Sequence, residues 1–525
     1  MKGILQTKDY NNFIILDDIG HAIHEFKGAK LANKCLPGDH ISWDEKCILE
    51  LRDEHPRIVG TIESKTKYGF TKKHVPLYLF TPYNKSYPQF IVSCSAPTIQ
   101  NLIGLITFDT WEQTFPRGHL EQVIGISGEY EPEKEALMLQ ASPYKYPKGK
   151  YVPIIKEIPR RKLNGYTFHI DPVGCRDVDD VLTFEKIEEG WRVTITISDV
   201  AAYVESDGII DIFASLIGQT LYNNGIPIKP MLPDEYTEIC SLLPGKTSYG
   251  VSLQFLWISV TKEIRNIEWF ESVFETNKSY TYDEFDRDES EYKPILKEIA
   301  AYLYEVSNEV SNELFDSHKW IEQMMLFYNK EAGKMLKKAN MGILRRHSAP
   351  NVEKLEAYPD SLKFLAFSSA EYCLAEDNSI HYGLQSEYAH ASSPIRRYAD
   401  LVNQRVIKLH LRDETYIVPI AMYDMNTRAK RIKNYERDLC FLDAVQRNTC
   451  KGIIIDTNRI DDNIKIKIYI PTWKKCVSVV YIYDEVVWSR DETREIDVTL
   501  FRDVIVTFTF NLNGRNWKER AIINI

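Results

Sequence analysis

Short strand-like runs separated by turn residues fill the first part of the chain, and this pattern limits it to small β modules. Residues 1–57 contain runs such as Phe13–Leu16, broken by the turn Leu36-Pro37-Gly38-Asp39. A second β-rich stretch, residues 58–141, includes a run at Ile103–Phe108. Because no run is long, we predict two small barrels in tandem.

The last part of the chain shows the same pattern after Cys450. Four isoleucines alternate with polar residues, as expected of a strand with one buried face: Ile464, Ile466, Ile468 and Ile470. Residues 504–510 are expected to pair with 521–525 across a turn at Asn513-Gly514. This pattern predicts a third small barrel.

The central region differs from both ends. It begins with strands and a hairpin at Glu189-Gly190 and then becomes mostly helical, which predicts one large α+β domain. At 525 residues the chain is too long for one hydrophobic core. The stretch before this domain is rich in proline and lysine and is predicted to be a linker. The predicted limits are 1–57 and 58–141 for the first two barrels, 142–160 for the linker, 161–448 for the α+β domain and 449–525 for the last barrel.

Composition excludes several classes of protein. No apolar run approaches the roughly 20 residues of a membrane span, and the N-terminus lacks a signal-peptide core, so we expect a cytoplasmic protein without a membrane partner. The nine cysteines show no CxxC pair or zinc spacing. The net charge of −10 argues against a general coat for nucleic acid, which would therefore need a local basic channel.

Four aspartates lie close together between two apolar strand-like runs: Asp171, Asp177, Asp179 and Asp180. Carboxylates held near one another repel and raise one another's pKa, so a cluster fixed by core strands requires a compensating cation. Hard oxygen ligands favour Mg²⁺ or Mn²⁺ over zinc. If the segment is extended, Asp177 and Asp179 lie on one face and Asp180 on the other. In that case we do not expect the four aspartates to be equal ligands of the metal.

Two other readings of the cluster remain open. Calcium is disfavoured, because the glycine and glutamate of an EF-hand loop are missing from the later positions. A plain solvated acidic turn is the second alternative. Residues 282–291 serve as an internal comparison, since their acids are mixed with Arg and Ser and are predicted to be surface.

Downstream, Ser393-Pro394 predicts the start of a helix, with Ser393 as N-cap and Pro394 as the first helical residue. Arg396 and Arg397 would then lie in the first turn, where the helix dipole disfavours cations. Two guanidinium groups beside free backbone N–H groups form a receptor for phosphate. The alternative is that Arg397 simply pairs with Asp400 on the surface. Together with a carboxylate metal site, the arginines indicate phosphodiester hydrolysis.

These motifs together resemble the RNB family of ribonucleases, which includes bacterial RNase II and RNase R. Ile170-Asp171-Pro172 and the three later aspartates are similar to the acidic motif of the family. Residues 393–400 are similar to its basic motif. Arg346-His347 and His381-Tyr382-Gly383-Leu384 add to the similarity. The resemblance spans nearly the whole chain. It implies two N-terminal OB-fold barrels of the cold-shock type, a large α+β RNB catalytic domain and a C-terminal S1-like OB-fold barrel.

The resemblance also implies residue roles. Asp171, Asp177 and Asp180 would ligate metal, with two Mg²⁺ ions expected and Mn²⁺ as a substitute. Asp179 would be essential for hydrolysis by positioning metal or water, and Arg396 would stabilise the transition state. Tyr222 matches an aromatic that stacks on the terminal base, and Glu436 resembles an acid that senses the terminal ribose. The predicted RNA contacts are Tyr222, Ser393, Arg396, Arg397 and Glu436.

Some positions depart from the family pattern or have simpler explanations. Gln404 stands where the family often has histidine, and the second base-clamping aromatic would fall near Met341. Tyr222 could equally be a turn tyrosine, and Glu436 a surface residue of a helix. No endonuclease domain precedes the first barrel, so stable docking on an exosome is not expected. The chain is expected to be a monomer.

The sequence therefore predicts a processive, magnesium-dependent 3′→5′ exoribonuclease that converts single-stranded RNA with a free 3′ end to nucleoside 5′-monophosphates. A catalytically silent RNA-binding regulator on the same scaffold is the alternative. The complete set of aspartates argues against it. A nuclease acting on DNA is a third hypothesis, opposed only by the ribose-sensing contact expected of Glu436.

Overall fold

In the computed structural model the chain forms two compact units, Met1–Lys145 with Lys430–Ile525, and Tyr146–Ala429. The structure describes residues 2–44, 48–50, 55–96, 99–112, 114–149, 151–155, 158–223, 225–306, 316–377, 379–415, 418, 421–489, 495–511, 514 and 516–525. Asn513 of the predicted turn lies outside these residues. No helix in the described ranges combines the length and apolar character that a membrane crossing requires.

The first unit begins with a five-stranded sheet in the order β3-β2-β1-β4-β5. Its strands are β1 (Lys2–Thr7), β2 (Asn12–Leu16), β3 (Ala22–Lys27), β4 (His40–Trp43) and β5 (Ile48–Glu50). The predicted turn at residues 36–39 is present, and the Leu36 N–H donates to the Asp39 carboxylate at 2.8 Å. Phe13 and Ile15 alternate inward on β2 and are buried, as half-buried strands require.

The second module is a closed barrel in the order β10-β8-β7-β6-β9. It contains β6 (Ile58–Phe70), β7 (Pro76–Pro82), β8 (Phe90–Ser93), β9 (Leu102–Phe108) and β10 (Arg117–Ile126), followed by helix α1 (Tyr130–Ala141). This closure, with the first strand between the second and fourth and the last between the third and fourth, is the OB-fold arrangement.

The second unit is built on a seven-stranded sheet in the order β11-β18-β17-β14-β13-β12-β19, with three two-stranded ladders beside it. The strands of this unit are β11 (Arg161–Lys162), β12 (Tyr166–Asp171), β13 (Asp180–Ile187), β14 (Gly190–Ser198), β15 (Leu221–Asn223), β16 (Ile226–Lys229), β17 (Thr247–Ile258), β18 (Glu263–Glu275), β19 (Lys278–Thr281), β20 (Ile343–Arg346), β21 (Glu371–Leu374), β22 (Ile380–His381) and β23 (Ser386–Glu387). The predicted hairpin at Glu189-Gly190 joins β13 to β14.

Helices of this unit supply part of its core. They are α2 (Ile209–Ile217), α3 (Asp234–Cys240), α4 (Tyr282–Asp286), α5 (Tyr292–Val306), α6 (Ser317–Ala339), α7 (Val352–Ala357), α8 (Tyr398–His410) and α9 (Met422–Gln446), the last of which extends into the first unit. Phe168 and Phe184 of the sheet pack in one buried cluster with Leu296 of α5 and Met324 and Tyr328 of α6. Asp316 begins α6 by accepting the Lys319 N–H at 3.2 Å, and Asn340 ends it with a φ of 52°.

The C-terminal sheet has the order β27-β26-β25-β24-β28-β29. Its elements are β24 (Thr449–Ile460), β25 (Asn463–Ile470), β26 (Lys475–Asp484), β27 (Val486–Val487), β28 (Asp503–Phe510), α10 (Trp517–Arg520) and β29 (Ala521–Asn524). The predicted alternation holds, since Ile464, Ile466, Ile468 and Ile470 are all buried. The predicted pairing of the last two long runs is also confirmed, as β28 pairs with β29 antiparallel.

A buried ion pair joins this last sheet to the closed barrel within the first unit. Arg520, 1% exposed, donates to Glu133 of α1 at 2.5 Å and to the Tyr83 hydroxyl at 2.7 Å. The Glu133 carboxylate also accepts from the Tyr83 hydroxyl and the Gly128 N–H, each at 2.8 Å. Because every charge in this group has a partner, the burial of both ions is tolerated.

The observed architecture agrees with the predicted fold class of OB-type β modules around a large α+β domain. The exact domain limits stay predictions. Strand β6 begins at Ile58, β11 at Arg161 and β24 at Thr449. The described part of the predicted linker after Ser142 contains neither helix nor strand.

Candidate active site

Asp179 is held in a loop that connects β12 to β13 on the central sheet. The Val178 N–H donates to the Ser241 hydroxyl and the Leu242 N–H to the Val178 carbonyl, both at 3.0 Å. The Ser198 N–H donates to the Asp179 carbonyl at 2.8 Å. Val178 is buried among apolar side chains, so the loop is anchored on both sides of the aspartate. These contacts fix the Asp179 backbone and hold its side chain at 3% exposure.

The Asp179 carboxylate faces residues far along the chain. One oxygen accepts the Ile395 N–H at 2.9 Å and the other accepts Nε of Arg396 at 3.2 Å. Burial raises the pKa of Asp179 to about 7, although Arg396 and the Ile395 N–H act in the opposite direction. The structure therefore confirms that the acidic and basic motifs meet in space.

The other three aspartates have different surroundings. Asp171 lies 2.8 Å from Nδ1 of His169, and Asp177 accepts a hydrogen bond from the Tyr222 hydroxyl. Within the described part of the chain, no hydrogen-bond donor reaches the Asp180 carboxylate. Residues 172–179 form a loop, so the strand alternation considered for Asp177 and Asp179 does not apply to them.

The electrostatics of this cluster suit a bound cation. Burial, and then the charges of Asp171 and Asp179, raise the pKa of Asp180 well above its usual value. Oxygen donors of this kind match Mg²⁺. Nevertheless, no group of three or more His, Cys, Asp or Glu side chains among the described residues stands in a metal-holding arrangement. The donor chemistry fits the ion, while three of the carboxylates point toward His169, Tyr222 and Arg396 in this structure.

The predicted start of the downstream helix is wrong. Helix α8 begins at Tyr398, and Arg397 is its N-cap, with φ −135° and ψ 127°. The Ser393 carbonyl instead accepts the N–H groups of Arg396 at 3.3 Å and Arg397 at 3.0 Å, which forms an isolated turn. The two arginines therefore precede the helix, and no cation in its first turn needs explaining.

Contacts with the 218–222 segment explain the extended backbone before α8. The Thr220 N–H donates to the Arg396 carbonyl at 3.0 Å, and the Tyr398 N–H donates to the Gly218 carbonyl at 2.9 Å. Gln219 and Arg397 form an isolated antiparallel bridge. A longer helix would break these three contacts, which the local cap signal does not reveal.

The two arginines differ in how firmly they are held. Arg397 donates to Asp400 at 2.8 Å, and the same Asp400 oxygen accepts the Ser393 N–H at 2.8 Å. Asp400 is fully buried, so the pairing considered as an alternative exists, but not on the surface. Arg396 donates to the Ser393 hydroxyl through Nη2 at 3.0 Å and remains 43% exposed. Its Nη1 has no hydrogen-bond partner in the described residues, so both N–H groups of that nitrogen can donate to a ligand.

The remaining predicted contacts fall in different places. Tyr222 lies on β15, partly buried, with its hydroxyl on Asp177. Glu436 belongs to the other compact unit, where it is exposed on α9. Gln404 donates to the Ser198 carbonyl at 2.6 Å and accepts the Ala201 N–H at 2.9 Å. It thereby ties α8 to the end of β14.

Two residues beside the cluster were missed from sequence. His169 orients Asp171 and in turn lies 2.6 Å from the Ser279 hydroxyl. Tyr282 was assigned to a surface stretch, yet it stacks on His318 with ring centroids 3.4 Å apart. Burial, and then Asp171 and Asp180, raise the pKa of its phenol. The His-x-Asp spacing on β12 was visible, whereas nothing local distinguished Tyr282.

Comparisons with known proteins agree with this assembly. A model described as the RNB domain matches residues 160–293 and 360–413, and one described as Dis3-like cold-shock domain 2 matches 77–142. Ribonuclease R of Buchnera aphidicola is 27% identical over 341 residues, covering 50% of this chain and 47% of that protein. Human exosome complex exonuclease RRP44 is 25% identical over 466 residues, covering 69% and 48%. The chain spans about half the length of these curated relatives.

Two solved structures share the fold. The apo form of Mycoplasma genitalium RNase R matches with a TM-score of 0.70 at 18% identity, covering 100% of both chains. Yeast Ssd1, described as a pseudonuclease, matches with a TM-score of 0.68 at 16% identity, covering 97% of this chain and 81% of that one. Asp179 and Arg396, at which the acidic and basic motifs meet, both lie within the residues that match the RNB domain.

Proposed function

We propose that this chain is a 3′→5′ exoribonuclease that shortens single-stranded RNA processively and releases nucleoside 5′-monophosphates. The observation that carries the proposal is the contact between the buried Asp179 carboxylate and Arg396, which leaves Nη1 of the arginine without a partner in the described residues. The names of the relatives, ribonuclease R and exosome exonuclease, support the same activity. Mycoplasma genitalium RNase R, a neighbour in fold, has been solved with single-stranded RNA.

The side chains divide the work in the following way. The Ser393 hydroxyl and the Asp179 carboxylate hold two edges of the Arg396 guanidinium, so that its free edge can donate to a phosphate oxygen. Asp179 is itself fixed by the Ile395 N–H. The charge that develops on phosphorus oxygens during displacement is met by a donor already in position, which lowers the barrier.

A metal completes the proposal. Asp171, Asp177, Asp179 and Asp180 would hold Mg²⁺, two ions in all, with Mn²⁺ as a substitute. When bound, Mg²⁺ would make water more acidic and stabilise charge on the leaving oxygen. Tyr222, Ser393 and Arg397 are proposed RNA contacts of the same unit, and Glu436 a contact from the other. The expectations of a monomer, of no stable exosome docking and of a cytoplasmic location stay predictions.

The activity can be tested with 5′-labelled RNA and DNA of one sequence. In Mg²⁺ we expect RNA alone to shorten from its 3′ end, and we expect no shortening in chelator. Asp179→Asn should abolish the ladder, because the amide cannot replace a carboxylate toward metal and arginine. Asp283→Asn is the matched control, since Asp283 is an exposed member of the comparison stretch. Equal shortening of DNA would contradict the proposed RNA specificity.

A second candidate function is RNA binding without cleavage. The fold likeness to a pseudonuclease favours it, as does the absence of a ready metal-holding group among the described residues. The same assay separates the two candidates. RNA left intact in both Mg²⁺ and Mn²⁺, but bound with unchanged affinity by wild type and Asp179→Asn, would establish the silent form and reject the nuclease.

The proposed role of Tyr222 predicts a difference between two substitutions. Tyr222→Phe keeps the ring and loses only the hydrogen bond to Asp177, so RNA affinity should stay within about twofold. Tyr222→Ala removes the ring, and a lost base stack should cost roughly 1–3 kcal/mol of binding. Fluorescence anisotropy of labelled RNA in chelator measures both. If phenylalanine weakens binding as much as alanine does, the hydroxyl matters and the stacking role is wrong.

A further inference from the structure

Two histidines outside the acidic cluster lie side by side in the second unit. His347 follows β20 and His381 ends β22, with ring centroids 4.9 Å apart. Their backbones form an isolated parallel bridge, in which the Tyr382 N–H donates to the His347 carbonyl at 3.0 Å. Both histidines belong to sequence motifs that have no role in the proposed nuclease activity.

The two rings differ from most buried imidazoles in their hydrogen bonding to the described residues. Nδ1 of His347 and Nδ1 of His381 are both buried, and neither has a hydrogen-bond partner among the residues that the structure describes. Nε2 of His347 lies 3.0 Å from the Ser368 carbonyl. Since a carbonyl only accepts, Nε2 of His347 carries a proton, so in the tautomer with a single proton the free lone pair lies on Nδ1. A buried acceptor left unpaired costs free energy and calls for a ligand.

His381 is neutral at physiological pH. Burial, and then the neighbouring His347 and Arg345, lower the pKa of His381 to about 4. A neutral imidazole keeps one lone pair available for coordination. The two imidazole rings are thus in contact, and each has a buried Nδ1 that no described residue satisfies.

Gly383 leaves room beside both rings. A Cβ at this position would lie 3.2 Å from Nδ1 of His347 and 3.6 Å from Cε1 of His381. Gly383 is not among the glycines with positive φ, so its backbone does not require glycine. The missing side chain matters for the space it leaves open against the Nδ1 atom.

We propose that His347 and His381 bind one transition-metal ion of the zinc, copper or nickel class through their Nδ1 atoms, with water in the remaining positions. Imidazole nitrogen suits these ions and not Mg²⁺. The Ser368 carbonyl supplies the outer hydrogen bond that orients a ligating histidine. A bound ion would clip the β22–β23 hairpin to the end of β20. This site is independent of the proposed nuclease activity.

The test is calorimetric titration of Zn²⁺ into the full chain, after chelator treatment and in excess Mg²⁺ so that the aspartates are supplied with their own ion. We expect one Zn²⁺ per chain. His347→Gln and His381→Gln should each weaken the affinity by roughly 100-fold or more, because each removes a ligand. Gly383→Ala should weaken it as well, although both histidines remain. His119→Gln, at an exposed histidine of the closed barrel, is the matched control and should bind as wild type does.

Two further measurements keep the outcome decisive. Copper bound at the pair should show nitrogen coupling in its electron paramagnetic resonance spectrum, and Gly383→Ala should remove that coupling. Thermal melting in chelator shows whether each variant is folded. If a histidine variant is unfolded, Gly383→Ala shows whether the metal ion binds at the histidine pair. Absence of Zn²⁺ binding, binding unchanged in folded histidine variants, or binding lost in Asp179→Asn and kept in His347→Gln would each overturn the proposal.

Discussion

Arg396→Ala is expected to lower the single-turnover rate of RNA cleavage by about 1,000-fold, while RNA affinity changes far less. The guanidinium is held by Asp179 and Ser393 and offers one remaining edge to the substrate. A donor that meets charge only as it develops contributes to the transition state more than to the ground state. The measurements are single-turnover cleavage with Mg²⁺ and anisotropy binding in chelator.

Two controls separate this role from loss of charge and from loss of folding. Arg396→Lys keeps the charge but not the planar fork, and should recover only part of the rate. Arg265→Ala removes an arginine from an exposed ion pair with Glu263 and should cleave RNA as wild type does. If Arg396→Ala lost affinity but kept its single-turnover rate, Arg396 would be a binding residue and the transition-state role would be refuted.

The second large effect is expected on stability. Arg520→Met should lower the free energy of unfolding of the first unit by about 3–5 kcal/mol, because Glu133 would be left buried without its cation. The Tyr83 hydroxyl and the Gly128 N–H would remain, but neither carries charge. Urea unfolding gives the free energy, and hydrogen exchange of peptides from residues 58–141 shows whether the loss falls in the closed barrel.

If the unpaired charge of Glu133 causes the loss of stability, a double variant without that charge should be more stable than Arg520→Met. Replacing Glu133 with glutamine as well as Arg520 with methionine removes the stranded charge and should recover part of the lost stability. Lys85→Met is the surface comparison, since Lys85 pairs with Glu519 while 72% exposed, and it should cost no more than about 1 kcal/mol. If the double variant were less stable than Arg520→Met, packing of the arginine stem would explain the effect in place of charge.

Local patterns predicted the strands well because strand alternation and hairpin turns depend on residues that are close together in the sequence. The isoleucines of β25 and the turn at Glu189-Gly190 are of this kind, and both are confirmed. The order of β modules and the central α+β domain followed from the same signals.

Long-range pairing explains what the sequence did not reveal. Ser393-Pro394 carries a sound local signal for a helix start, yet the backbone there is held extended by residues 218–220. The side chains of Asp179 and Arg396 could be assigned to one site only by chemistry, since they are 217 positions apart. Tyr282 lay in an acidic stretch that resembles a solvated surface, and only the tertiary fold brings it to Asp171 and Asp180.

The ion pair between Glu133 and Arg520 also has a consequence for how this protein is made. The two residues are separated by 387 positions, so a ribosome adding 5–20 residues per second reaches Arg520 roughly 20–80 s after Glu133. Throughout that interval the nascent barrel carries an acid whose counter-charge has not been translated. Its final packing around α1 must therefore wait until Arg520 has been translated.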